Sequence, residues 1–166
     1  MKSSTTKKLL ALVVLAAIVV GVAYLISGKD LIKKDDNVDE NGHTKSPIEY
    51  KHVDLSKAST PEEKLPQGFP SFIPIENTDV VESYSGQNQD PPLTQYTLTY
   101  RSTRTVTQKF NEYLNYLTNN GYTFAEGGRD SRNGYLSATK ENDTLSVVVS
   151  RLGDKTLVQL SYVDRQ

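Results

Sequence analysis

The chain has 166 residues, a formal net charge of −1 and no cysteine. The missing thiol excludes a disulfide framework, a thiolate metal site, a cysteine nucleophile and lipid attachment at cysteine. Three lysines and no acid (Lys2, Lys7, Lys8) stand near the start and the rest is mildly acidic, a poor electrostatic match for nucleic acid.

Residues 1–8 read as a short cytoplasmic tail. Residues 9–26, Leu9 to Ile26, form an unbroken apolar or weakly polar block. As a helix it would be about 27 Å long, close to the hydrocarbon core of a thin bilayer. It carries no polar stripe, and Tyr24 stands where a hydroxyl reaches the headgroups. The expectation is an uncleaved signal-anchor, a single-pass transmembrane helix. The competing reading is a cleaved signal peptide, for which Gly21-Val22-Ala23 offers small residues at the cut, although the apolar block is longer than such peptides carry. Lys2, Lys7 and Lys8 on one side are matched by Lys29, Lys33 and Lys34 on the other, so charge alone does not orient it. The usual behaviour of a first helix places the remainder outside the cytoplasm. Ala17 and Gly21 make a small-xxx-small pattern that can dimerise helices, a weak signal because both residues are common in such segments.

Residues 27–64 are polar and acidic, with too few apolar groups to offset chain entropy, and read as a spacer. Within it, Ile48 to Leu55 is apolar enough to dock as an edge strand or short helix. Asp35, Asn37 and Asp39 match the first ligands of a calcium loop. The pattern then fails, with Glu40 where glycine is needed and Ser46 where glutamate is needed. His43 and His52, the two histidines, have no zinc spacing and read as solvated.

Residues 65–166 alternate like a folded domain. Leu65 to Ile75 holds three prolines among Phe69, Phe72, Ile73 and Ile75, an extended clasp across the fold. Asp79 to Ser85 reads as a strand, 86–92 as a loop, and 93–101 as a strand with Tyr96, Leu98 and Tyr100 on one face. Val106, Phe110, Tyr113, Leu114 and Leu117 recur on one face of a helix. Ser102 or Thr103 can cap it, or Thr105 with Gln108 as a capping box, and Gly121 ends it. Strands follow at 122–126, 134–140, 144–151 and 155–163, with turns at Glu141-Asn142-Asp143 and Gly153-Asp154. The fold class expected is α+β: one amphipathic helix packed on an antiparallel sheet of about five or six strands.

The order of proline-rich clasp, strand, capped helix with Tyr113, Leu117 and Gly121-Tyr122, then meander, resembles small ectodomains of membrane-anchored or lipidated bacterial proteins of unknown function. In those an aromatic residue follows the helix-ending glycine, and Tyr122 stands there. The resemblance covers roughly residues 66–163 and implies no activity.

No phosphate loop, nucleophile–histidine triad or prepilin pattern is present. The loop 127–134 carries Arg129, Asp130 and Arg132, and two arginines on glycine-flanked chain can clamp a carboxylate or phosphate; an ordinary exposed connection is the plainer reading. The sheet tyrosines can form a stacking platform or simply half-bury. The functional expectation is a non-catalytic, membrane-tethered interaction or scaffold module with an envelope protein partner and no cofactor. The alternative is a small-ligand binder or sensor.

Overall fold

The computed structural model describes residues 48–76, 79–89 and 92–165. The apolar block 9–26 with Ala17 and Gly21, the calcium-like run and His43 lie outside the described residues. Among the described residues no helix is long and apolar enough to cross a membrane.

Seven strands form one sheet: β1 (Glu49–His52), β2 (Asp79–Gln89), β3 (Pro92–Ser102), β4 (Thr123–Gly127), β5 (Asn133–Lys140), β6 (Asp143–Leu152) and β7 (Lys155–Arg165). Among the described residues a single α-helix, α1 (Val106–Asn119), lies between β3 and β4 in the chain. The sheet order is β1-β2-β3-β7-β6-β5-β4, with every pairing antiparallel. The fold is therefore α+β, as expected, and the strand count is seven rather than five or six. The extra strand is β1, formed by the apolar patch after Ile48, which pairs with β2 at the sheet edge. The predicted loop at 86–92 is shorter than expected. β2 runs on to Gln89 and β3 starts at Pro92, because the ladder continues in register from Ser85↔Tyr96 to Gln89↔Pro92.

Alternation assigns the two faces. Leu98 and Tyr100 of β3, Val158 and Leu160 of β7, and Leu145, Val147 and Val149 of β6 are buried on the helix side. Against them α1 buries Val106, Phe110, Tyr113 and Leu117. Side chains this fully buried contribute about 1.5–3 kcal/mol each relative to exposure. On the opposite face Thr97, Ser161, Ser146 and Ser137 stand in one cross-strand row, and Gln95 donates from Nε2 to Thr97 and Ser161. The last strand, β7, fills the centre of the sheet between β3 and β6, so the core closes only when residues 155–165 are in place.

Local chemistry fixes the helix ends. Thr105 Oγ1 accepts from the Gln108 amide while the Gln108 side chain accepts from the Thr105 amide, the capping box. At the other end Gly121 takes φ +71, the Gly121 amide donates to the Thr118 carbonyl and the Tyr122 amide to the Leu117 carbonyl. This double closure is a Schellman motif, and it brings the residue after the glycine back onto the last turns of the helix. The clasp packs on the core, with Ile73 buried and Leu65, Phe69 and Ile75 against it, but it is not extended throughout: the chain turns at Pro66–Phe69 and again at Pro70–Ile73, each closed by a backbone hydrogen bond.

Candidate functional site

Three clusters on this frame carry chemistry. The first surrounds Lys109, whose side chain is fully buried on α1. Its Nζ lies 2.9 Å from Glu112 Oε1, and 3.0 Å from Glu76 Oε1 in an ion contact off the hydrogen-bond direction. The ammonium also stands 5.4 Å from the Tyr100 ring centre and 5.1 Å from that of Tyr113. Arg104 closes the group, 2.8 Å from Glu112 Oε2 and 3.6 Å from Glu76 Oε1. Tyr113 donates its single hydroxyl proton to the Pro74 carbonyl at 2.7 Å, so Tyr100 is the donor in the 2.8 Å bond between the two phenols.

Burial pushes Lys109 towards neutrality, yet the Tyr100 hydroxyl, Glu112 and Glu76 outweigh it and hold the pKa above the ordinary lysine value. Burial likewise opposes the charge on Glu76, but Ser102, Lys109 and Arg104 keep its carboxyl below the usual range. A lysine held charged is no nucleophile or base. This cluster is a knot that ties Pro74 and Glu76 of the clasp to α1. The sequence signal was available: residue 109 falls three after Val106 and four before Tyr113, on the apolar stripe.

The second cluster is the loop 127–134, where the sequence sets a ligand clamp against an ordinary exposed connection. Arg129 donates to Asn111 Oδ1 and lies 4.9 Å from the Phe110 ring centre, so it is laid along the helix. Asp130 Oδ1 accepts from the amides of Arg132 and Asn133, closing a turn, and these bonds depress its pKa. Arg132 is exposed, and its carbonyl accepts from the Arg151 amide. Arg129 and Asp130 are thus engaged with the protein itself, and none of the three lines a described cleft.

The third cluster was not anticipated as a unit. A cleft of about 300 Å³ is lined by Phe72 of the clasp, Tyr116 and Asn120 of the helix end, Tyr122, and Lys140, Glu141 and Asp143 of the β5–β6 hairpin. The Schellman closure sets Tyr122 against Tyr116, ring centres 6.0 Å apart, and burial together with this neighbour pushes the Tyr116 phenol well up. Phe72 is 57% exposed and meets Tyr162 edge-on at 5.9 Å. Tyr162 donates to Asp143 Oδ2 at 2.6 Å, which, after burial, holds its phenol protonated. Lys140 Nζ stands 5.7 Å from the Tyr122 ring centre. Each part was visible in the sequence as a clasp, a cap or a turn. Their convergence depends on the sheet order, which brings the hairpin beside the helix end.

Glu141 is the one described non-glycine residue with positive φ, at +54. The hairpin closes on Lys140↔Asp143, leaving a two-residue loop, Glu141-Asn142. Its neighbour closes on Leu152↔Lys155 around Gly153-Asp154, with Gly153 at φ +63. Glutamate thus occupies a backbone state that the neighbouring turn gives to glycine, at a cost of roughly 1–2 kcal/mol.

Two further clefts are bland. One of about 390 Å³ lies at the start of α1 beside Arg104, Arg151 and Lys155, where the capping box already serves helix amides. The other, about 200 Å³, separates the 3₁₀ turn Glu62–Lys64 from Ile75 and Val80. No group of three or more potential metal ligands converges among the described residues. No protein-family model, curated protein or solved structure matches the chain.

Proposed function

We propose that the chain is a non-catalytic binding module, tethered to the cell membrane through residues 9–26 and presented outside the cytoplasm, which contacts other envelope components without transforming them. One observation carries this reading: the helix–sheet interior is filled with side chains at or near zero exposure, and the buried cation Lys109 is committed to holding the clasp. The clefts beside Phe72, at the start of α1 and beside the 3₁₀ turn are open to the surface. The apolar block supplies location, the polar stretch after it supplies reach, and the cleft beside Phe72 and the loop 127–134 are the surfaces offered for contact.

The test is crosslinking in intact cells from a photoreactive phenylalanine placed at Phe72 and, separately, at Arg132. A specific macromolecular adduct from either position is expected. Adducts from neither, with the protein present at normal levels, would overturn the binding-module reading. Protease added to intact spheroplasts is expected to remove the folded domain, and full protection would overturn its outside placement.

A further inference from the structure

We propose that the cleft between the helix end and the β5–β6 hairpin is a subsite for a neutral saccharide, one ring of a longer glycan that runs across the open surface. This inference rests on the binding-module reading and names the chemistry of what is bound.

The lining selects by elimination. Glu141 and Asp143 bring two carboxylates to the cleft, so phosphate or nucleic acid is repelled. Lys140 already places its ammonium over Tyr122, which takes that ring's cation-binding role and repels a cationic ligand. A wholly apolar ligand would strip water from two carboxylates, an ammonium and the Asn120 amide without replacing their hydrogen bonds. What fits is uncharged, presents C–H faces to aromatic rings, and carries hydroxyls that both donate and accept.

Each residue then has a role. Phe72, more than half exposed, provides the ring for stacking, and Tyr122 lines the cleft and seats the Lys140 ammonium. Asp143 is oriented through its Oδ2 by the Tyr162 hydroxyl, which leaves Oδ1 to accept from a sugar hydroxyl. Asn120 is fixed by its own bond from Nδ2 to the Tyr116 carbonyl, leaving Oδ1 as a second acceptor. Lys140 supplies donors. Glu141 supplies the last carboxylate from a strained position where glycine would be more comfortable. Strain retained beside a cleft, when the next turn in the same sheet relieves it with Gly153, marks a side chain kept for contact. The volume lies at the small end for a ligand pocket, which suits one ring of a chain.

The experiment is a nuclear magnetic resonance titration of the full-length chain, held in a zwitterionic detergent without sugar headgroups. The probes are cellotetraose, chitotetraose, mannotetraose and galactotetraose at millimolar concentration, with ethylammonium and inorganic phosphate as counter-probes. At least one tetrasaccharide is expected to shift amides at 72, 116, 120, 122 and 140–143. Phe72→Ala, Tyr122→Ala and Glu141→Gly are each expected to weaken that response about tenfold, the size of one lost stacking or charged contact, with the remaining spectrum unchanged. Silence to all four tetrasaccharides, or a response only to ethylammonium or phosphate, overturns the inference. So does saccharide binding that Phe72→Ala and Glu141→Gly leave intact. A chain that yields a crosslinked envelope protein yet ignores every saccharide removes this inference and leaves the binding-module reading standing.

Discussion

The two ends of α1 treat charge in opposite ways. Near its start, Lys109, Glu76, Glu112 and Arg104 neutralise one another around a fully buried ammonium, and the phenols of Tyr100 and Tyr113 pass hydrogen bonds on to Pro74. Past its end, Lys140, Glu141 and Asp143 sit beside the rings of Phe72 and Tyr122 with their charges largely open to solvent. The first arrangement is closed and serves the fold; the second is open and is available for contact. The clasp links them, since Glu76 and Pro74 are held in the knot and Phe72, two residues before Pro74, stands at the cleft. Stability at one end therefore governs how firmly an aromatic side chain is presented at the other.

The largest expected effect comes from opening the knot. Lys109→Met keeps the stem's apolar volume but leaves Glu76 and Glu112 without their buried partner, a loss of about 3–5 kcal/mol by the measure of broken buried ion pairs. Urea denaturation checks the magnitude. Hydrogen exchange adds the comparison: amides at 71–76 should lose protection more than those in β6 and β7. Equal loss everywhere would mean that the knot supports the whole fold and does not hold the clasp in particular.

Acid should open the same knot by degrees. The Glu76 pKa is depressed in the folded state, so its contribution is complete above the ordinary glutamate value of 4.5 and is lost as pH falls through the lower, folded value. Glu82 has the opposite sign. Burial raises its pKa, with His52 and Thr99 only partly offsetting, so its ionisation destabilises as pH rises above 4.5. Denaturation midpoints from pH 7 to pH 3 should fall at the acid end. Glu76→Gln should flatten that fall, and Glu82→Gln should steepen it by removing the opposing trend.

Local pattern carried most of the fold and little of the site. The capping box at Thr105 and Gln108, the glycine end at Gly121 and the alternation through β3, β6 and β7 are short-range signals, and each element formed where they placed it. β1 was weak because four exposed residues at an edge show no alternation between core and solvent. The sheet order was not legible, since nothing in residues 155–165 announces that the last strand sits at the centre. That order is what brings Asp143 and Glu141 beside Tyr116 and Tyr122, so the cleft stayed hidden although Phe72, Tyr122 and the Glu141-Asn142-Asp143 turn were each noted. The partners of Arg129 were hidden for a related reason: the loop sequence alone does not show that Asn111 and Phe110 of the adjoining helix meet it.

The smallest effect separates two turns of one sheet. Glu141 and Gly153 both hold left-handed backbone, and only the first has a side chain to strain it. Arg165 braces the strained turn by donating to the Asn142 carbonyl at 2.8 Å. Glu141→Gly should therefore stabilise the protein by about 1 kcal/mol, and Gly153→Ala should destabilise it by a similar amount, both read as shifts in thermal midpoint. If Glu141→Gly instead destabilises, the carboxylate is serving the fold through contacts at the hairpin, and its position by the cleft needs no ligand to explain it. If the gain appears, the native chain is holding a side chain against a local energetic preference. The closed knot shows no such feature, since every described non-glycine residue there keeps ordinary backbone and its charges find partners.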